Sequence, residues 1–132
     1  MQHAPIIDRE TVDMLREMDQ IADDGNLLFE LVDDFLAHST PLVDDIVAVA
    51  KQHNLVELAA KVHSLKGASL NIGALALFQV CDKIELMARS QQFPDANTQL
   101  AMLTHAFTTT SGALIELRER TQRGEDINDL LS

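Results

Sequence analysis

Residues 95–123 read DANTQLAMLTHAFTTTSGALIELRERTQR, with no proline and a single glycine. Leu100, Leu103, Phe107, Thr110, Leu114, Leu117 and Thr121 follow one another at alternating steps of three and four. On a helix that alternation holds one stripe of side chains toward neighbouring helices, the pattern of bundle packing. It predicts one long helix from about Asp95 to Arg123.

The same period recurs upstream, punctuated by turn signals. Phe93-Pro94-Asp95 breaks the chain before the last helix. A helix over about Ala74–Ser90 turns Leu77, Phe78, Cys81, Ile84 and Met87 or Ala88 inward. Before it, Asn54 caps a helix whose buried stripe is Leu58, Val62, Leu65, Ser69 and Ile72, with Glu57 placed for a capping box. That helix ends at Asn71-Ile72-Gly73, where Gly73 suits a left-handed terminus. From Asn26 to about Gln52, Leu28, Leu31, Val32, Phe35, Leu42, Ile46 and Val49 keep helical phase across Pro41. This predicts one long helix, kinked near residues 37–40, over two separate ones, although an interior proline costs on the order of 3 kcal/mol. Asp23-Asp24-Gly25-Asn26 marks the preceding turn, and Asp8 caps a short helix to about Met18 with Val12 and Leu15 inward. The expected fold is all-α: an antiparallel four-helix bundle with a short extra N-terminal helix. Residues 1–123 form one domain after a loose lead-in at 1–7, and residues 124–132 are expected as an acidic flexible tail.

Bulk properties narrow the function. The chain has 132 residues, 46% of them hydrophobic, enough for a core without metal or disulfides. A net charge of −11 argues against nucleic acid and anionic membranes. The one cysteine, Cys81, has no intramolecular partner, no run reaches membrane-spanning length, and the start lacks a basic and apolar leader. These features point to a cytoplasmic protein, and the lack of a second large apolar face to a monomer.

Chemistry concentrates in one stretch, His63-Ser64-Leu65-Lys66-Gly67-Ala68-Ser69. Positions i, i+3 and i+4 share a helix face, so His63, Lys66 and Gly67 form one patch, with His63 roughly 140° from the centre of the buried stripe. An exposed imidazole is a nucleophile, a lysine one turn on neutralises an anion, and a glycine leaves space above the helix. That glycine costs roughly 1 kcal/mol relative to alanine, which calls for a reason. Val56, Ala59 and Leu70 are expected on the same flank as an apolar rim. Charge agrees: residues 8–45 hold twelve acids and two bases, whereas residues 61–89 hold four bases and two acids. A phosphoryl group is best tolerated in that least negative region. His3, His38, His53 and His105 lack such neighbours; His53 and Glu57 make a poor metal pair; no nucleotide loop or hydrolase motif is present. Cys81 falls on a core stripe.

His63-Ser64-Leu65-Lys66-Gly67-Ala68-Ser69, followed by Asn71-Ile72-Gly73-Ala74, closely resembles the signature of histidine-containing phosphotransfer (HPt) domains of bacterial two-component phosphorelays. The resemblance extends over about residues 8–123. It implies that His63 is the phosphoacceptor, that Lys66 balances phosphate charge, and that Gly67 gives a partner access to the ring. It implies further that Glu85 contacts and orients the imidazole and that Arg89 is a second cation, although the two are also spaced as an ordinary i, i+4 surface pair. The implied function is that of a phosphorelay intermediate, a carrier more than an enzyme. It would take a phosphoryl group from the phosphoaspartate of one response-regulator receiver domain and give it to another. It would serve a hybrid sensor histidine kinase and need no cofactor of its own, with Mg²⁺ on the receiver. The competing expectations are a non-catalytic helical adaptor using the same flank and, more remotely, the phosphotransfer domain of a chemotaxis-type kinase.

Overall fold

The computed structural model describes residues 6–21 and 27–131. Five helices follow in order: α1 Arg9–Ile21, α2 Leu27–Lys51, α3 Leu55–Asn71, α4 Leu75–Arg89 and α5 Ala96–Arg123, then a 3-10 turn at Asn128–Leu130. There is no strand among the described residues. α2 packs on α3, α3 on α4, α4 on α5 and α5 back on α2, a closed four-helix bundle, while α1 lies on α2. The connections at 52–54, 72–74 and 90–95 are short, so successive helices run antiparallel.

Most of the expected stripes are buried, while Phe107 and Thr121 are half-buried and Phe78 stays outside the core cluster, because it sits at the edge of the α4 stripe. Leu58, Val62, Leu65 and Ser69 face the core from α3, with Ile72 just beyond its end, and Leu100, Leu103, Thr110, Leu114 and Leu117 from α5. Buried Ser69 donates its hydroxyl to Leu65 O at 2.7 Å, which satisfies it within its own helix. Phe35 and Phe107 meet at a centroid separation of 6.4 Å, joining α2 to α5. α2 continues unbroken through Pro41, but its most buried face includes Ser39, Val43 and Ala50, with Leu31, Leu42 and Val49 at the margin.

Helix ends depend on specific caps. Asp8 Oδ2 accepts from Thr11 N at 3.3 Å and from Thr11 Oγ1 at 2.8 Å. Asn54 Oδ1 accepts from Glu57 N at 3.3 Å, whereas the Asn54 N–H goes to Val49 O, so the capping box is only half built. Gly73 has φ +75°, its carbonyl accepts from Asp8 N at 2.8 Å, and a Cβ there would sit 2.8 Å from Thr11 Cβ. Gly73 is thus required by both its conformation and the approach of the α1 entry. The start of α2 is capped from another helix: Asp19 of α1 accepts from Leu27 N at 2.6 Å and Leu28 N at 3.2 Å. The turn expected at residues 23–26 lies outside the described residues, as do residues 1–5 of the lead-in.

Two expectations need correction. Ile7 is buried and belongs to the core, not to a loose lead-in. The segment after Gly124, expected as a flexible tail, folds back: Ile127 and Leu131 are buried, Arg9 reaches Asn128 at 2.8 Å, and Arg120 reaches Asp129 at 2.6 Å. Its acidity suggested a solvated tail, but these contacts bind a polar residue and an acid to arginines while two apolar residues four apart face inward.

Candidate functional site

α3 and α4 form the tightest seam of the bundle, and the site lies across it. His63 is on α3 with its side chain 62% exposed; Glu85 is on α4 with its side chain 6% exposed. His63 Nδ1 lies 3.0 Å from Glu85 Oε2. The same oxygen accepts from Arg89 Nε at 2.8 Å, and a second guanidinium nitrogen of Arg89 lies 2.7 Å from it. Lys66 Nζ lies 2.7 Å from Glu85 Oε1 and 3.4 Å from Asp82 Oδ1. One buried carboxylate therefore gathers His63, Lys66 and Arg89.

Burial by itself pushes a carboxyl upward, but hydrogen bonds from Lys66, Arg89 and His63 outweigh it, and Glu85 is lowered to about 2. Glu85 in return holds the Lys66 ammonium above its ordinary value. An ionised carboxylate has no proton to donate, so the bond to His63 requires the hydrogen on Nδ1. The neutral ring then carries its free lone pair on Nε2, pointing away from the tether.

Gly67 follows Lys66 on the exposed face, and a Cβ built there meets nothing within 4 Å. Nothing inside the fold demands glycine at this position. Val56 (80% exposed) and Leu70 (53%) lie one heptad before and after His63 and give that face an apolar rim. Ala59 does not belong to it. It is 5% exposed, and together with Ala88 of α4 it borders a surface depression between the two helices. Leu86, directly after Glu85 and exposed, is apolar surface not expected from the sequence. Asp82 was also missed; its only signal was the three-residue spacing from Glu85 on α4.

Cys81 is fully buried, and its thiol is pushed up to about 12 by burial, so it packs as a thiol. Among the described residues no three His, Cys, Asp or Glu side chains gather as metal ligands do, and no helix is long and apolar enough to cross a membrane.

An exposed histidine tethered through one nitrogen, with a cation a turn away and open space above, occurs here in the context of one sequence family. The Hpt domain family matches residues 30–126. The chain belongs to the Hpt domain family. The crystal structure of histidine-containing phosphotransfer protein B (HptB) from Pseudomonas aeruginosa PAO1 superposes with a TM-score of 0.78 at 24% identity, covering 89% of this chain and 97% of that one. At that identity the likeness bears on the fold. No curated protein matches the chain. Membership in the Hpt family supports a phosphoryl-carrier role in phosphorelays. It also fits the described bundle, because the matched residues run from α2 through α5 and include the whole α3–α4 seam.

Proposed function

We propose that the chain is a phosphorelay intermediate that carries a phosphoryl group on Nε2 of His63. The observation that carries this reading is the 3.0 Å contact of His63 Nδ1 with the Glu85 carboxylate in a side chain that is 62% exposed, which supports a hydrogen on Nδ1 and an available lone pair on Nε2. The donor is the phosphoaspartate of a receiver domain, in a relay headed by a hybrid sensor histidine kinase. The Nε2 lone pair forms the new P–N bond as the P–O bond to aspartate breaks, and the carboxylate leaves with the electron pair. The ring becomes an imidazolium that keeps its Nδ1–H and donates it to the Glu85 carboxylate, so charge developing on the ring meets a fixed opposite charge. A second receiver reverses these steps and takes the group away.

Phosphoryl transfer depends on alignment and charge neutralisation more than on covalent chemistry by the protein. Lys66 and Arg89 supply cations beside the ring, the receiver supplies the acidic pocket and Mg²⁺, and this chain needs no cofactor. Val56 and Leu70 offer the receiver an apolar contact, and Gly67 lets it approach the imidazole. The protein would work as a monomer in the cytoplasm.

The test is incubation of the wild type and His63→Gln with a phosphorylated receiver. The wild type should take up a label stable in base and lost in acid, with a ³¹P signal of the Nε2 isomer, and the variant should take up none at unchanged helicity. Receiver binding without any label would instead indicate a non-catalytic adaptor.

A further inference from the structure

Glu85 has three partners, but among the described residues the polar side-chain contacts of Asp82 reach Lys66 alone. Asp82 and Glu85 are three apart on α4, so both face α3, and the Lys66 ammonium lies between them at 3.4 Å and 2.7 Å. Formally the four charges of Lys66, Arg89, Asp82 and Glu85 cancel. Glu85 is needed as the tether of the ring; Asp82 touches neither the imidazole nor Arg89. Its effect is to hold Lys66 and to offset the cation that a phosphoryl group on the adjacent His63 requires.

We propose that Asp82 is a positioning residue that acts through Lys66 to weaken this chain's hold on its phosphoryl group, so that the group can be passed on. The inference rests on His63 as the phosphoacceptor. A carrier that neutralised its cargo fully would retain it; one that shares its lysine with a second carboxylate keeps the bound and transferred states closer in free energy. Asp82 is half exposed, so its influence on the phosphoryl group is screened, and removing its charge should change the equilibrium by about three- to tenfold at low salt.

Phosphoramidate serves as the donor, which removes any dependence on a particular receiver. The Nε2 lone pair forms a P–N bond while the P–N bond to ammonia breaks, and ammonia leaves with the electron pair. The ratio of labelled to free chain is read by ³¹P NMR at a fixed ratio of phosphoramidate to ammonium for the wild type, Asp82→Asn and Asp82→Glu. Asp82→Asn should raise that ratio about three- to tenfold at low salt, with most of the gain lost in 1 M salt. Asp82→Glu, which restores the charge, should stay near the wild type. An unchanged or lowered ratio in Asp82→Asn would overturn the proposal. So would an equal gain in Asp82→Glu, or a gain indifferent to salt, since either would point to altered packing. If the wild type takes no label at all, the phosphoacceptor reading fails first and this inference goes with it.

Discussion

His63 Nδ1 and Glu85 Oε2 are 3.0 Å apart, a bond between a side chain largely in solvent and one almost wholly out of it. The buried partner fixes the exposed one. Glu85 is itself fixed by Lys66 and Arg89, so the orientation of the His63 ring is set by a network spanning α3 and α4.

Glu85→Gln should therefore affect both transfer and stability. The amide can still accept from Nδ1 but offers no charge to the imidazolium, so the rate of labelling from phosphoramidate should fall about tenfold or more. The folded carboxyl titrates at about 2, below its ordinary 4.5, so folding favours the ionised form. The stability it contributes is complete above the ordinary value and is lost as pH falls toward 2. Urea melts should show the wild type more stable than Glu85→Gln by on the order of 2 kcal/mol near neutrality, allowing for the exposed His63 and Arg89. That gap should close between about pH 4.5 and pH 2. A gap independent of pH would mean that the carboxylate charge is not its source.

If the proposed docking surface is right, substitutions at Gly67 should change transfer from a receiver without harming the fold. A Cβ there meets nothing, so Gly67→Ala should raise stability by about 1 kcal/mol through helix propensity. Gly67→Leu should also fold, with a melting temperature no lower than the wild type. Its uptake from a phosphorylated receiver should drop at least about tenfold while labelling by small phosphoramidate changes little, because only the large donor needs the space above the helix. Normal transfer from a receiver to Gly67→Leu would remove steric access as the reason for this glycine.

Gly73 should behave in the opposite way. Its positive φ and the 2.8 Å approach to Thr11 Cβ leave no room for alanine without moving the α1 entry. Gly73→Ala should lose about 2–3 kcal/mol in thermal or urea unfolding. His63 lies more than two turns away on α3, so labelling of the folded fraction should be kept.

The helices were legible because each has an apolar stripe of constant period bounded by a cap or a break. Even Pro41 does not interrupt the phase that runs from Leu28 to Ile46. His63, Lys66 and Gly67 were legible because local spacing alone sets them on one face. What periodicity could not give was depth across a seam. Glu85 and Arg89 are spaced as a surface pair, yet the close α3–α4 packing buries the carboxylate while leaving the guanidinium outside. The same packing takes Ala59 out of the rim, and tertiary approach alone lets Asp19 cap α2 and Asp82 reach Lys66.

The end of the chain shows the same limit, and it can be tested. Gly124 adopts φ +71° and closes α5, with Glu125 N donating to Arg120 O at 2.8 Å, which redirects the chain along the bundle. Ile127 then enters the core at 4% exposure, and Leu131 follows at 8%. Ile127→Ala removes buried apolar volume at the edge of the core and should lower stability by about 2 kcal/mol, toward the smaller end for such truncations because the neighbours can partly close the gap. Asp126→Asn, an exposed change in the same segment, should stay within about 0.5 kcal/mol of the wild type. A solvated tail would give no difference between these variants, so equal urea midpoints would return residues 125–131 to the status of a flexible extension. A gap near 2 kcal/mol would make them part of the folded domain.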